Sequence, residues 1–240
     1  MYADFICGRY TNTLSVEELD GRLGARFGVK IRERTDGDPY NIAPTEQVLA
    51  IVAPKGEAQA RLLRWGLVPT WAHDLKGAYK LINARVETVS TKAAYRDLIP
   101  RGSRRALQIA DGYYEWLKPE RPREARQPFH FRVDGGEPFA FASLWTPAKI
   151  AGEWVVSCAL ITCPSAANPV AAAIHDRMPA ILADAQAQRA WLDPALGAEE
   201  ALSLCGPLAA ERLSARAVNP AVNKVGGVEG PALLQGPAIA

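Results

Sequence analysis

The 240-residue chain contains no long hydrophobic run, and no apolar stretch approaches the roughly 20 residues that a membrane-spanning helix needs. Its first ten residues have neither the basic start nor the apolar segment of a secretory signal. The sequence therefore predicts a cytoplasmic protein without membrane contact.

Cysteine and histidine are also scarce. Four cysteines, at positions 7, 158, 163 and 205, include no Cys-x-x-Cys pair, and there are only three histidines. This composition favours neither a disulfide framework nor a closed zinc site, so we expect no metal and no cofactor. A formal charge of +2 gives no global indication of nucleic-acid binding, and any DNA site must therefore be local.

The residues that are present are those of a globular protein, with 48% hydrophobic and 22% charged residues. Ser15 and Glu18 form a capping-box pattern before helically spaced apolar residues that end at Gly28, which predicts a helix. Short helices are also predicted over 184–192 and 198–205. Short β-rich runs predict strands over 47–53, 61–65, 105–110, 129–133, 138–141, 154–162 and 213–218.

Most of these strands follow one another with few helices between them, which predicts an α+β protein with a mixed, curled sheet. We expect a single domain over residues 1–240 that is monomeric, because no apolar heptad or pairing strand is evident. The segment 120–127 is predicted to be an exposed loop, and 226–240 a loose tail.

Six short clusters combine polar or charged residues with glycine, proline or aromatic residues, a mixture typical of rigid turns that hold functional groups. They are Cys7-Gly8-Arg9-Tyr10, Tyr40-Asn41-Ile42-Ala43-Pro44-Thr45, Trp65-Gly66-Leu67-Val68-Pro69-Thr70-Trp71, Asn83-Ala84-Arg85-Val86-Glu87-Thr88, Asp111-Gly112-Tyr113-Tyr114-Glu115-Trp116 and His175-Asp176-Arg177-Met178-Pro179. These clusters are the candidate positions for chemistry.

Each of these residues has a structural and a chemical interpretation. A free cysteine is most often a small buried hydrophobe, but the arginine next to Gly8 would lower the thiol pKa of Cys7. Glu115 lies among aromatic residues, where desolvation raises a carboxyl pKa and suits acid–base work, although a glutamate at a strand end is the alternative. His175 is either a proton-transfer group or a structural histidine.

Asn83 and Arg85 alternate along an extended segment, so both side chains are expected on one face, where an amide and a cation could meet the same ligand. Glu87 continues this alternation, and could instead simply pair with Arg85. For Cys158, Cys163 and Cys205, which lie in apolar patterns, no chemical role is indicated.

Taken together and in this order, the six clusters resemble the motifs of the SOS-response-associated peptidase family. Members of that family contain an N-terminal Cys-Gly-Arg, an Asn-x-Ala-Pro turn, a Trp-Gly-x-x-Pro-x-Trp segment, Asn-Ala-Arg-x-Glu, Asp-Gly followed by two aromatic residues and Glu-Trp, and His-Asp/Asn-Arg-Met-Pro. The similarity extends from residue 7 to about residue 225, nearly the whole chain.

The resemblance implies a strongly bent sheet that forms a pseudo-barrel with short flanking helices. It implies a DNA-repair protein that recognises abasic sites in single-stranded DNA and crosslinks to them covalently, processes its own N-terminus and is capable of strand-cleaving lyase chemistry. Position by position, it implies that the nucleophile is Cys7 and that the remaining catalytic residues are Asn83, Glu115 and His175. By the same resemblance, Arg9 and Arg85 would hold phosphates, and Asn41, Pro44 and Trp71 would shape the groove near the lesion.

The implied chemistry needs an amine and a thiol on one residue. A free cysteine amine condenses with the aldehyde of a ring-opened abasic sugar to an imine, and the thiol then closes a thiazolidine ring. In this chain, however, Met1 to Ile6 precede Cys7, so its nitrogen is an amide that cannot form an imine. We therefore expect residues 1–6 to be a leader that is removed by self-cleavage, or to be absent because translation starts at codon 6; loss of the activity is the third possibility.

Two other functions remain open from the sequence. A thiol peptidase that acts on other proteins through Cys7 and His175 would need no free amine, and a noncovalent module for single-stranded or modified DNA would need neither. Two arginine clusters are potential phosphate contacts or solvated surface: Arg101, Arg104 and Arg105, and Arg121, Arg123 and Arg126. Trp65, Trp116 and Trp145 could stack on bases or belong to the core.

Overall fold

The computed structural model describes residues 7–118 and 126–236. The strands are β1 Arg9–Thr11, β2 Gln47–Val52, β3 Gln59–Trp65, β4 Asn83–Arg85, β5 Arg105–Ala110, β6 Gly112–Leu117, β7 Gln127–Val133, β8 Phe139–Ile150, β9 Glu153–Pro164, β10 Arg177–Pro179, β11 Ile181–Leu182 and β12 Leu213–Ala217. The α-helices are α1 Val16–Phe27, α2 Pro169–Ala172, α3 Ala185–Leu192 and α4 Ala198–Ser203. Within these described ranges, no helix has the length and apolar character to cross a membrane.

Five strands close a barrel in the order β9, β3, β2, β5, β8 and back to β9. All neighbours in this ring are antiparallel except β3 and β9, which run parallel. Three short strands extend the ring: β4 and β10 pair with β9, and β11 pairs with β8. The predicted α+β class with a mixed, strongly bent sheet that forms a barrel is thus confirmed.

The barrel interior is built by strand alternation, which β2 illustrates. Val48, Ala50 and Val52 belong to the inner apolar cluster that also contains Tyr10 and Trp65. Leu49 and Ile51 face the other way, into the cluster formed by helix α1. Because both faces of the strand are covered, β2 reads as a nearly continuous apolar run rather than as an alternating one.

A second sheet, in the order β1, β6, β7, β12, is wholly antiparallel and lies beside the barrel. Asp111 alone separates β5 of the barrel from β6 of this sheet, and its carboxylate accepts hydrogen bonds from the hydroxyls of Thr11 and Thr13 at 2.6 and 2.5 Å. A side chain at Gly112 would lie 2.2 Å from Nε2 of His130, so glycine is required where the chain crosses between sheets.

The helix predicted after Ser15 is confirmed as α1. The Ser15 hydroxyl accepts a hydrogen bond from the Glu18 amide, and the Glu18 carboxylate accepts one from the Ser15 amide, at 3.1 and 2.8 Å. Gly28 ends the helix in the left-handed region, with φ of 68°. The predicted helices over 184–192 and 198–205 are confirmed as α3 and α4, the second of which ends two residues earlier than expected.

The seven predicted strands are all present, but one of them, β8, is much longer than predicted. The runs 138–141 and 154–162 are parts of β8 and β9, which continue as a long hairpin that pairs Ile150 with Glu153 at its tip. The residues near this tip include the exposed, polar or proline positions Pro147, Lys149 and Glu153, so they lack the apolar and β-branched pattern that predicts a strand. The short strands β1, β10 and β11, and the six-residue strand β6, were not expected from the sequence.

Residues near the C-terminus pack onto the second sheet. Gly230–Leu234, within the segment expected to be a loose tail, forms a short 3-10 helix. Its Leu233 is fully buried in a small cluster with Tyr114, Val218 and Val222. The expected leader 1–6, most of the loop expected over 120–127, and residues 237–240 lie outside the described residues.

Candidate active site

Cys7 and Glu115 form a buried pair at the edge of the second sheet. The backbone nitrogen of Cys7 donates to Oε1 of Glu115 at 2.6 Å, and the Cys7 thiol donates to the same oxygen at 3.0 Å. Only 2% of Cys7 and 3% of Glu115 is accessible to solvent. One carboxylate oxygen therefore contacts both the nitrogen and the sulfur of a single cysteine.

The pairing of β1 with β6 creates this contact. Arg9 lies opposite Tyr114 and Tyr10 opposite Tyr113, so the chain that enters β1 arrives beside Glu115. Cys7 itself has a positive φ of 47°, which is rare for a residue with a side chain. The backbone at Cys7 is therefore held in a strained conformation by the surrounding contacts.

Burial governs the proton affinities of the pair. Desolvation raises the pKa of the Glu115 carboxyl from its ordinary 4.5 to about 7, against the hydrogen bonds from Cys7 and Trp116, which lower it. Desolvation also raises the pKa of the Cys7 thiol well above its usual value, and the nearby Glu115 raises it further. Near neutral pH, Glu115 can therefore take up or release a proton, while the thiol stays protonated.

His175 lies in the turn between α2 and β10. Its Nδ1 accepts a hydrogen bond from the backbone amide of Arg177 at 3.1 Å, so the neutral ring holds its proton on Nε2. Nδ1 is also 3.1 Å from a carboxylate oxygen of the exposed Asp176. The Ser165 hydroxyl fixes the turn by donating to the His175 carbonyl oxygen at 2.6 Å.

The His175 turn is electrostatically coupled to the buried pair. The negative charge of Asp176 raises the pKa of Glu115, although burial is the larger cause. The positive charge of Arg177 lowers the thiol pKa of Cys7, an effect that is small beside that of burial. The turn therefore lies close enough to Cys7 and Glu115 for its charges to affect both groups.

Strand β9 brings β4 and β10 together on its two sides near Thr162. Asn83 pairs with Leu160 and Arg85 with Thr162, while Pro179 pairs with Thr162 from the other side. Asn83 is half-buried, and the intervening Ala84 is buried, whereas Arg85 is exposed. As the alternation predicts, Asn83 and Arg85 share the face of β4 opposite Ala84.

Glu87 pairs with Arg177 rather than with Arg85, which the sequence allowed as its partner. The Arg177 guanidinium donates to both Glu87 carboxylate oxygens at 2.7 and 3.0 Å, and also to the hydroxyl and carbonyl oxygens of Thr162. The hydrogen bonds from Arg177 are the main reason why the pKa of Glu87 is lowered. Sequence reasoning missed Arg177, although its place two residues after His175 was a signal.

Arg9 and Asn41, predicted DNA contacts, are both buried in a shared network. The Arg9 guanidinium donates to the Asn41 side-chain oxygen at 2.9 Å and to the Val222 carbonyl at 2.8 Å. Arg9 retains 8% of its accessible surface and Asn41 3%. The structure thus joins β1, the 41–44 turn and the C-terminal segment at this point, and the DNA contacts of the two residues stay predictions.

Pro44 and Trp71 are more accessible. Pro44 is half-buried and precedes Thr45, which has a φ of 82° and whose amide donates to the Trp65 carbonyl at 2.7 Å. Trp71 is 53% exposed in the loop between β3 and β4. Of the other tryptophans, Trp65 and Trp145 are buried in the core, and Trp116 is half-buried with its ring nitrogen donating to Asn223.

The remaining cysteines and basic clusters fall into different environments. Cys158, Cys163 and Cys205 are free and buried, and burial raises the pKa of each, that of Cys163 to about 11. Arg105 is fully buried and donates to the carbonyl oxygens of Trp191, Asp193 and Leu196, so it is not a surface cation. Among the described residues, no group of His, Cys, Asp and Glu side chains could hold a metal ion.

Comparisons with known proteins agree with this architecture. The described fold resembles a crystal structure of a protein from Bacteroides thetaiotaomicron with a TM-score of 0.79 at 22% identity, covering 96% of this chain and 99% of that one. In sequence, the chain is 36% identical to the abasic site processing protein YoqW of Bacillus subtilis over 224 residues, 91% of this chain and 94% of the relative. It is 29% identical to the abasic site processing protein YedK of Escherichia coli, with 92% and 95% covered.

The protein thus combines a five-stranded barrel with a flanking sheet that holds a cysteine and a glutamate in contact. The chain matches the family described as SOS response associated peptidase (SRAP) over residues 6–225. It belongs to that family, as the six motifs of the sequence indicated.

Proposed function

We propose that the protein, once its chain begins at Cys7, recognises abasic sites in single-stranded DNA and forms a covalent thiazolidine crosslink with them. The observation that supports this most strongly is that Cys7 N and Cys7 Sγ both contact Oε1 of Glu115. Those two atoms are the ones that a thiazolidine joins to the sugar carbon. The names of YoqW and YedK as abasic site processing proteins support the same substrate.

The reaction consists of two bond-forming steps. The α-amine of Cys7 attacks the aldehyde carbon of the ring-opened sugar, and loss of one water gives an imine. The Cys7 sulfur then adds to the imine carbon, and the thiol proton passes to the nitrogen. The product contains protein and DNA less one water, and no oxidant or further reactant is needed.

Glu115 is suited to move the protons of both steps. A free α-amine has a pKa of about 7.7 to 8, close to the value of about 7 that burial gives the Glu115 carboxyl. Proton transfer between the two groups therefore costs little, and the 2.6 Å contact provides a direct path. In a later step, the same carboxylate could remove a sugar proton and cleave the strand by β-elimination.

The other proposed catalytic residues act on the sugar and on the amine. His175, with Nε2 protonated when the ring is neutral, would give a proton to the sugar ring oxygen as the ring opens. Asn83 would orient the amine by hydrogen bonding. Exposed Arg85 would hold a phosphate, and exposed Trp71 would stack on a base.

Arg9, Asn41 and Pro44 would contribute to the groove through the 41–44 turn. Burial of Arg9 and Asn41 in the network with Val222 favours a role in fixing the 41–44 turn at the groove wall, with Pro44 as the accessible member of that turn. We expect the protein to act as a cytoplasmic monomer.

Exposure of the Cys7 amine requires loss of residues 1–6. The family match begins at residue 6, one residue before the proposed nucleophile. For self-cleavage, the Cys7 sulfur would attack the Ile6 carbonyl, water would release the leader, and Glu115 would protonate the departing nitrogen. The strained φ of Cys7 favours breaking the bond on its amino side. Internal initiation at codon 6 would give the same mature chain.

A thiol peptidase acting on other proteins is less consistent with the site. Such an enzyme needs a thiolate, but burial and Glu115 both raise the thiol pKa of Cys7.

The test compares three chains on a single-stranded oligonucleotide with one abasic site. We expect the chain that begins at Cys7 to give a DNA–protein band that survives denaturing electrophoresis. Its Cys7→Ser variant retains the amine but not the sulfur, so it should give an adduct only after borohydride trapping of the imine. A chain with an uncleavable leader, Cys7→Ala with residues 1–6 attached, should give none.

A matched substrate and a second assay separate the alternatives. An oligonucleotide with an intact base at the same position should give no band with any chain. Cleavage of a casein-like protein that depends on Cys7, without the covalent band, would favour the peptidase. Binding of the abasic strand that is unchanged by Cys7→Ser and never becomes covalent would contradict the crosslinking proposal.

A further inference from the structure

A small cleft lies beside the exposed Trp71, on the side of the barrel where the loop between β3 and β4 meets the segment before β5. Its volume is about 110 Å³, and its walls include Trp71, Asp97, Arg101, Arg104 and Thr146. This volume holds several water molecules or one phosphate group. None of the proposed catalytic residues lines it.

Two arginines give the cleft an excess of positive charge. Arg101 is exposed and Arg104 half-buried, and the pKa of the Arg104 guanidinium is lowered first by burial and then by the charge of Arg101. The Arg104 guanidinium lies over the ring of the buried Trp145, 5.0 Å from its centroid. This contact holds one cation in place beside another.

Among the described residues, no carboxylate is paired with either of these two cations. Within residues 7–118 and 126–236, neither guanidinium takes part in an ion pair or a side-chain hydrogen bond. Asp97, the carboxylate in the cleft wall, lies 3.8 Å from Arg96 instead. Two neighbouring guanidinium groups without an acidic partner favour an anion, and their planar donors match the oxygens of a phosphate.

Trp71 adds a surface for a base in the same cleft. Its side chain is 53% exposed, and an exposed indole beside a phosphate-binding pair is the combination that holds unpaired nucleotides by stacking. An isolated anion such as a metabolite phosphate would leave this ring unused. The combination therefore favours a nucleotide of a DNA strand over a free anion.

The register of β9 relates the cleft to Arg85, a proposed phosphate contact near the active site. Thr146 in the cleft wall pairs with Ser157, and Thr162 pairs with Arg85 five residues further along β9. Five strand residues span about 17 Å. At about 3.4 Å for each stacked nucleotide, this corresponds to about five nucleotides, and to fewer if the strand is extended.

We propose that this cleft is a second DNA subsite, in which Arg101 and Arg104 bind a phosphodiester of the same strand a few nucleotides from the abasic site, and Trp71 stacks on the adjoining base. The subsite rests on the proposed function, because it takes the strand whose lesion reaches Cys7. It would fix the position of the strand without touching the reacting atoms, and so increase affinity rather than the rate of the chemical steps.

The test uses the chain beginning at Cys7 with Arg101→Gln and Arg104→Gln together. A control variant with Arg61→Gln and Arg189→Gln removes the same charge from two exposed arginines outside the cleft. Binding of an undamaged single strand of about 20 nucleotides, longer than most single-strand sites, is followed by fluorescence anisotropy from about 50 to 200 mM salt. Crosslinking is followed on an abasic strand of that length, and on one with about two nucleotides on each side of the lesion, which is too short to reach the cleft.

We expect the cleft variant to bind the long strand about tenfold more weakly at low salt. The slope of log affinity against log salt should become shallower by about 0.7, for the loss of one neutralised phosphate. At subsaturating protein, crosslinking of the long abasic strand should slow equally, while the short strand should react at the wild-type rate. The control variant should match the wild type in affinity within about twofold.

Equal affinity and equal salt slope for the cleft variant and the control would overturn the subsite, even where the wild type crosslinks normally. A wild type that binds the strand but never crosslinks would instead overturn the proposed function. Because Arg104 packs on Trp145, Arg101→Glu alone serves as a second variant that leaves this packing intact. It should weaken binding of the long strand at least as much as the double variant does, and unchanged binding would also refute the proposal.

Discussion

Replacing Glu115 by glutamine should make the fold more stable at alkaline pH. Burial raises the pKa of this carboxyl from 4.5 to about 7, so the folded chain holds its proton more tightly than the unfolded chain. The free-energy penalty for ionising Glu115 in the folded chain begins near pH 4.5, grows until about pH 7 and is constant above that. A shift of about 2.5 units corresponds to about 3 kcal/mol, which glutamine avoids because it has no charge.

The assay is urea unfolding of Glu115→Gln in a Cys7→Ala chain with residues 1–6 attached. In that background the nitrogen of residue 7 is an amide and can still donate to the side-chain oxygen at position 115. The free energy of unfolding of the glutamine variant, relative to its Cys7→Ala parent, should rise by about 3 kcal/mol between about pH 4.5 and 8. Glu153→Gln, at an exposed strand end, is the control and should show no such rise.

A difference that stays flat over this pH range would refute the assignment of Glu115 as a buried group that ionises near neutrality. In the mature chain the α-ammonium group would lie beside the carboxylate and lower its pKa, so the rise should be smaller there. Observing the larger rise in the mature chain would contradict the proposed contact between amine and carboxylate.

The same substitution in the mature chain should slow crosslinking about 100-fold, measured by single-turnover gel assays, because glutamine cannot exchange a proton with the amine. His130 is buried and its pKa is lowered to about 3, mainly by burial, so the fold should lose stability as the pH falls from 6.5 towards 3, by up to about 5 kcal/mol. Urea unfolding of His130→Gln should lack that part of the acid loss, and an identical pH profile would contradict the burial argument. Arg177→Lys cannot donate to both Glu87 oxygens, so unfolding should become easier by about 1–3 kcal/mol, and an unchanged stability would show the pair to be unimportant.

The sequence predicts most of the barrel strands well because these strands are long enough to show a pattern, whereas the barrel itself was implied by the family resemblance. The runs at β2 and β9 contain five or more apolar or β-branched residues, and β5 contains four, each run being bounded by turn residues. Strands of two or three residues, such as β10 and β11, have too few positions to show any period, and they form because β8 and β9 offer free edges. Tertiary pairing decides these elements, not local preference.

In the candidate site, too, some features could be predicted from the sequence, and others depend on tertiary contacts. The motif order in the sequence indicated the family, and proximity of Cys7 to Glu115 follows from strand pairing across 108 positions. The burial of Arg9 could not be predicted, since its acceptor, the Val222 carbonyl, is 213 positions away. The partner of Glu87 could not be predicted either, because Arg177 lies 90 positions further along the chain.

The most direct test of the central claim is the intact mass of the product formed by the chain beginning at Cys7 and an abasic single strand. The account predicts the summed mass of protein and DNA less one water, with the modification located on residue 7 after proteolysis, and stable without a reducing agent. A product attached to a lysine or another cysteine, or no covalent product at all, would contradict it.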